Sequence, residues 1–248
     1  MLIANTNYDP KRMETCVARM LQRKVDGVAI MTSEMEDSLL KNFSSRQIPT
    51  IFMDAPKGGG KAVSTVRVNY ASGVRLAMDH LFDLGHRRIA FLSGPLSLGS
   101  ARSRADAFTE ALGSRGLAGD PQLIQEGDHR VEGGRAAMRR VLGAKKPPTA
   151  VLASNDLTAI GAMGAIREAG LRIPEDISVV GFDDIELSGF TDPALTTLHV
   201  SRRDIAAAAF KALYRGKDEP LASRPARRNT VIEPSLVIRA STARVSKR

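Results

Sequence analysis

The sequence predicts an α/β protein built on doubly wound parallel sheets. Short apolar runs rich in β-branched residues alternate with stretches carrying apolar residues at helical spacing, the rhythm of repeated βα units. The run Ile177, Val179, Val180 and Phe182 puts apolar side chains on both faces of a strand, as burial inside a parallel sheet requires. The rhythm falls into two successive groups, which points to two similar lobes.

In the first group, Leu2 to Ala4 is a short apolar run, and Asp9-Pro10 marks a turn and helix start. Met13, Cys16, Val17, Met20 and Leu21 then share one helix face. Cys16 on that face reads as a packed thiol. Val25 to Met31 is the next strand, and Met35, Leu39 and Phe43 mark another helix. Pro49 to Met53 is a strand ending at Asp54, Gly58 to Gly60 a loop, and Val66 to Val68 a short strand.

The second group repeats the pattern. Val74, Ala77, Met78 and Leu81 form a helix stripe closed by Gly85. Ile89 to Leu92 is a strand, Arg102 to Arg115 a helix, and Leu123-Ile124 a weak strand. A helix over Val131 to Leu142 leads to a strand at Ala150 to Ala153 and a helix at Asp156 to Ala169. Gly170 ends that helix, and the strand through Phe182 stops at Asp183 and Asp184. After the turn at Asp192-Pro193 come Leu198 and Val200, then a helix with Ile205, Phe210 and Leu213 on one face. Val231 to Ile238 is a last strand broken by Pro234.

At 248 residues, 43% hydrophobic and 25% charged, the chain has the composition of an ordinary globular protein. No apolar run approaches the roughly 20 residues of a membrane span. The start, MLIANTN, lacks the basic and long apolar regions of a secretory signal. A single cysteine excludes an intrachain disulfide and fits a reducing, cytoplasmic address. The net charge of +9 is concentrated late: from Arg202 onward twelve Lys or Arg face four Asp or Glu. Without interleaved aromatics this reads as a solvated basic surface with a loose tail at 244–248, rather than a nucleic-acid groove.

Enzyme signatures are missing. Gly94 to Gly99 has the glycine spacing of a phosphate loop, but Ser100 stands where the lysine is required. Gly58 to Ala62 lacks the rest of that motif, and Ser97 does not sit in a nucleophile elbow. His80, His86, His129 and His199 have no metal spacing. Asp183 and Asp184, as strand neighbours, point to opposite faces. No catalysis, cofactor or metal is expected.

Binding has better support. Asp54, Ser93, Asn155-Asp156 and Asp183-Asp184 all fall at carboxyl ends of predicted strands, where open α/β sheets meet their ligands. Such carboxylates and amides suit hydroxyl-rich ligands, and Arg102 or Arg104 can clamp a hydroxyl or carboxylate. Asn155-Asp156 also reads as a plain helix N-cap.

The stretches GHRRIAFLSGP (Gly85 to Pro95), SARSRADAF (Ser100 to Phe108), SNDLTAIGAM (Ser154 to Met163), IPEDISVVGFDD (Ile173 to Asp184), DPALTTL (Asp192 to Leu198) and RASTA (Arg239 to Ala243) resemble the LacI/GalR family of bacterial transcription regulators. With ANTNYDPKR and VDGVAIM near the start, the resemblance covers nearly the whole chain and falls on the family's effector-binding and dimerisation core. It implies two lobes of periplasmic-binding-protein type joined by three crossings, with residues 1–68 and 201–228 in one and 69–200 and 229–243 in the other. It implies effector contacts at Asp54, Ser100, Arg104, His129, Asn155 and Asp183, with His129 where many members carry a stacking aromatic. Asp184 is then structural. Ile160 and Phe190 match regions that join two subunits, so a homodimer is implied.

The effector is expected to be a sugar, nucleobase or related metabolite that biases two DNA-binding heads by a population shift. The family's helix-turn-helix, and the first strand and helix of its core, have no counterpart here, because Leu2 to Ala4 matches the second core strand. The expectation is a fragment or a misassigned start, with operator DNA reached only through that missing helix-turn-helix and with strand edges left bare. The competing readings are a periplasmic-type sugar-binding protein and a small-molecule enzyme.

Overall fold

The computed structural model describes residues 2–6, 9–31, 42–43, 45–46, 48–54, 63–213 and 229–246. The chain opens with helix α1 (Pro10–Gln22) and strands β1 (Val28–Ile30), β2 (Thr50–Met53) and β3 (Val63–Val68). There follow α2 (Tyr70–Asp83), β4 (Ile89–Ser93), α3 (Gly99–Gly113), β5 (Ile124–Glu126), α4 (Val131–Leu142) and β6 (Ala150–Ala153). The remainder is α5 (Asp156–Glu168), β7 (Ser178–Val180), β8 (Thr197–His199), α6 (Arg202–Leu213), β9 (Asn229–Ile232) and β10 (Ser235–Val237). Two compact units result: Met1–Val68 with Ser201–Ile232, and Asn69–Val200 with Glu233–Arg248. The chain passes from one to the other after Val68, Val200 and Ile232.

The first unit carries a parallel sheet in the order β1-β2-β3-β9. Asp9 starts α1 because its side chain accepts the Arg12 N–H at 3.1 Å, satisfying an amide the helix cannot. Val17 of α1 joins Val28, Ile30, Phe43 and Phe52 in one apolar core.

Several expectations change here. Leu2 to Ala4 forms no strand, and Ile3 is 84% exposed. Of the helix expected over Met35, Leu39 and Phe43, only buried Phe43 is among the described residues; the Gly58 to Gly60 loop lies outside them. On α6 the buried positions are Ala209 and Ala212, while Phe210 is 62% exposed. Residues 229–232, expected in the second lobe, pair with β3 and belong to the first unit. Pro234 therefore lies at a crossing between two strands of different units, not inside one strand.

The second unit holds the parallel sheet β5-β4-β6-β7 and an antiparallel pair, β10-β8. Every residue of β4, β6 and β7 is buried, as the doubly covered runs predict. Helix α2 buries Val74, Ala77, Met78 and Leu81, and its end is closed by Gly85 at φ +90°. Its His86 N–H donates to the Leu81 carbonyl at 3.0 Å, the bond that ends a helix in a left-handed turn. Leu92, Met138, Val151, Ile166 and Val179 lie in one core, each large apolar side chain contributing about 1.5–3 kcal/mol on full burial.

The tail expected to be loose from residue 244 is held at its start. The Val245 N–H donates to the Leu84 carbonyl at 2.9 Å, and the Ala243 N–H to Ser178 Oγ at 3.1 Å.

Candidate functional site

All strands of the second unit's main sheet run the same way, so their carboxyl ends gather side chains at one edge. Ser93 ends β4, Ser154 and Asn155 follow β6, and Asp183 and Asp184 follow β7. His129 stands in the loop after β5, its backbone left-handed at φ +63°.

Arg104 is the centre of this group. It lies on α3, one helical turn beyond Ser100, and is 5% exposed. Its guanidinium carbon is 4.3 Å from the Tyr70 ring centre and 5.2 Å from that of Phe182. The two rings lie 5.8 Å apart. Stacking on aromatic faces suits a planar, weakly hydrated cation. No carboxylate pairs with Arg104 among the described residues, and its Nε has no hydrogen-bond partner there. The hydroxyls of Ser93 and Ser154, both 1% exposed, also lack partners among those residues.

His129 approaches Arg104, with Nε2 at 3.5 Å from Nη2. A guanidinium only donates, so the ring nitrogen facing it is the acceptor. That contact is at the long end for a hydrogen bond. Burial lowers the His129 pKa to about 4, the Arg104 charge adds to the shift, and Asp128 opposes it. The ring is neutral at pH 7.

Asn155 works in two directions. Its Oδ1 accepts the Thr158 N–H at 2.9 Å, capping α5, and its Nδ2 donates to the His129 carbonyl at 3.0 Å. The capping role read from the sequence is present, together with a tie to His129.

Asp183 and Asp184 both have left-handed backbones, at φ +108° and +54°. The Asp183 N–H donates to the Leu198 carbonyl at 2.8 Å. Asp184 is committed to the fold: Oδ1 accepts from Arg239 at 2.6 Å, and Oδ2 pairs with His199 Nδ1 at 2.9 Å. Burial pushes the Asp184 carboxyl up, but Arg239 and His199 outweigh it and hold the pKa below the ordinary carboxylate value.

Of the six candidate contacts, Arg104, His129 and Asn155 are thus linked, Ser100 shares the helix of Arg104, and Asp183 adjoins the Phe182 ring beside Arg104. Asp54 belongs to the first unit, at the carboxyl end of β2, where its Oδ1 accepts the Val68 N–H at 3.2 Å. Sequence reasoning missed Tyr70 altogether and took Phe182 for core alone. Its signal was faint: an aromatic at the first position of a helix. Arg102, the other arginine considered, turns to the Leu96 carbonyl at the surface.

Elsewhere, Phe190 is 79% and Leu187 59% exposed, on and just after the short turn Glu186–Gly189. Ile160 is half-buried on α5. Among the described residues no three His, Cys, Asp or Glu side chains are grouped to hold a metal ion, and no helix is long and apolar enough to cross a membrane.

A model of the periplasmic binding protein-like domain matches residues 78–242. The chain is 35% identical over 251 residues to the HTH-type transcriptional repressor PurR of Mannheimia succiniciproducens, spanning 99% of this chain and 73% of that protein. Among solved structures it is similar to the transcriptional regulator CelR in complex with cellobiose, with TM-score 0.81 and 28% identity over 93% of this chain and 70% of that one. It is also similar to the lac repressor dimer bound to operator and an anti-inducer, with TM-score 0.77 and 30% identity over 94% and 79%.

Proposed function

We propose, from the premise that this chain belongs to the periplasmic binding protein-like family and within it to the LacI/PurR-type transcriptional regulators, that the carboxyl edge of β4, β6 and β7 binds the regulator's small-molecule effector. Ligand sensing is the task of the part this chain spans, and DNA reading that of the helix-turn-helix for which the relatives are named.

One observation carries the choice of site. A guanidinium buried to 5% exposure, with no carboxylate paired to it among the described residues, is costly unless oxygen acceptors complete it. Effector oxygens supply those acceptors at Arg104, with Ser100 as a further donor on the same helix. Asn155 adds the second hydrogen of its amide, Asp183 accepts ligand hydroxyls, and neutral His129 lies against the ligand as a flat, uncharged face. This mixture of donors and acceptors around aromatic faces fits a sugar, or a nucleobase-like molecule with similar edges. Cellobiose in the related CelR supports the sugar class.

The relatives named are repressors and regulators, and no metal-ligating group of side chains occurs among the described residues, so we read the role as sensing rather than catalysis, at a cytoplasmic address. Two copies associate through the surface around Phe190 and Ile160, in line with the dimeric lac repressor. Effector binding then shifts a dimer equilibrium by a coupling of about 1–3 kcal/mol, the usual size for such switches.

Thermal-shift screening of the purified chain with ribose, cellobiose, adenosine and guanine tests this reading. At least one compound raises the melting temperature in proportion to the logarithm of its concentration. If none binds across broad sugar and nucleobase sets, the effector class is wrong.

A further inference from the structure

We infer that Asp156 is a positioning residue, which holds Asp183 and Phe182 in place for the effector by clamping the turn that contains them; the role rests on the site assignment above. Asp156 is 0% exposed, so it meets no effector itself. Its backbone N–H and both side-chain oxygens are engaged. Its backbone N–H donates to the Phe182 carbonyl at 2.8 Å. Its Oδ2 accepts the Ile185 N–H at 2.8 Å, and its Oδ1 accepts the Thr197 hydroxyl of β8 at 2.5 Å.

These bonds bracket a short segment. One grips the chain just before Asp183 and another just after Asp184, and both intervening residues have the left-handed backbones that L-residues seldom adopt. Such a conformation persists only where its surroundings over-determine it. Gly181 completes the fit, because a β-carbon there would collide with Asp156 Oδ1. Downstream, the gripped Phe182 presents its ring to Arg104 at 5.2 Å. Upstream, the neighbouring Asn155 ties the same helix start to His129. One buried carboxyl thereby sets Asp183 directly, and the aromatic support of Arg104 through Phe182.

The titratable and charged groups around the clamp are Asp184, which faces Asp156, and the Arg239 and His199 that pair with Asp184. They leave the clamp itself with uncharged donors, so an amide is an adequate replacement. Asparagine at 156 accepts the Ile185 N–H with its oxygen and donates to Thr197 Oγ1 with its nitrogen. Alanine does neither.

The test combines hydrogen exchange with titration calorimetry, using ribose, cellobiose, adenosine and guanine in turn as probes. In Asp156→Ala the amides of residues 183–185 exchange about tenfold faster or more, while those of Ala150–Ala153 stay protected. Affinity for the probe that binds the parent falls about tenfold, the size of one lost buried hydrogen bond or more. Asp156→Asn keeps both properties within about threefold. The Asp156→Ala loss also shrinks in an Asp183→Asn background, since a positioner has nothing left to position. Equal losses in Asp156→Asn and Asp156→Ala, undiminished loss in that background, or unchanged exchange at 183–185 each overturn the inference. Should Asp156→Ala not fold, Thr197→Val removes one anchor only: faster exchange at Ile185 with weaker binding supports the clamp, and parental values of both overturn it. If Asp183→Asn alone leaves binding intact, the site assignment fails, and the exchange data still decide the clamp.

Discussion

Gly94 and His129 compete for one space: a β-carbon on residue 94 would collide with the His129 imidazole, Nε2 foremost. Gly94 directly follows Ser93 at the end of β4, so the sheet edge itself makes room for the ring that faces Arg104. Gly94→Ala pushes the imidazole off the guanidinium, because the ring is the end of a side chain and moves before the backbone does. We expect effector affinity to fall about tenfold with less than about 1 kcal/mol lost from folding. Calorimetry beside urea unfolding reads both numbers, and a large stability loss with intact affinity contradicts the relationship.

His129 and Asp156 make the pH dependence of folding a contest. Burial, aided by Arg104 and opposed by Asp128, lowers His129 from 6.5 to about 4. As pH falls through that window the unfolded chain takes up a proton that the folded ring refuses, and stability drops. Burial raises Asp156 from 3.8 to about 6, against hydrogen bonds from Thr197 and Ile185 and with Asp184 adding to the rise. Here the folded carboxyl keeps a proton that the unfolded chain has released, so stability rises as pH falls from 6 toward 3.8. Each effect amounts to at most roughly 3 kcal/mol, and they oppose one another. Burial of His80 and His86, lowered likewise, adds to the acid loss. His129→Phe removes one side of the contest, so the stability lost between about pH 6.5 and 4.5 shrinks. Urea unfolding at the two pH values measures it; a profile identical to the parent's is the contrary result.

Asp156→Asn isolates the other side. Above pH 6 the buried carboxylate is ionised at a cost that the amide does not carry. The variant is therefore as stable as the parent at pH 8 or more stable, by up to about 3 kcal/mol, while its acid sensitivity steepens. A variant that melts well below the parent at pH 8 shows that the charge itself holds the clamp.

Phe190 stands 79% exposed beside Leu187 at 59%, an apolar pair that the proposed dimer would cover. Phe190→Glu places a charge in that contact, and sedimentation velocity should shift from dimer to monomer with effector binding retained. A variant that remains dimeric assigns the interface elsewhere.

Much of the architecture is legible in the residues because burial on both faces leaves a local mark. The limits of β6 and α4 coincide with their apolar patterns, and the Val74-Ala77-Met78-Leu81 stripe is the buried face of α2. What failed depended on partners distant in sequence. Phe210 has helical spacing, yet alanines fill the inward face of α6, and no local period reveals which apolar residue a neighbour leaves outside. Pro234 signals a break, but only pairing with β3 tells that the residues before it belong to another sheet. The proposed effector contacts were read from strand ends and family likeness. The packing of Arg104 against both Tyr70 and Phe182 was not, since it joins α2, α3 and the segment after β7 only in three dimensions.

Titration calorimetry on the parent chain and Asp183→Asn tests the effector site most directly. Asparagine is nearly isosteric and tolerates the left-handed backbone at φ +108°, so the acceptor charge is removed with little change of shape. The expected result is one-site binding of a sugar or nucleobase-like compound by the parent and affinity about tenfold weaker or worse in the variant, at an unchanged melting temperature. Equal affinity in the two proteins would contradict the placement of the effector at the carboxyl edge of this sheet.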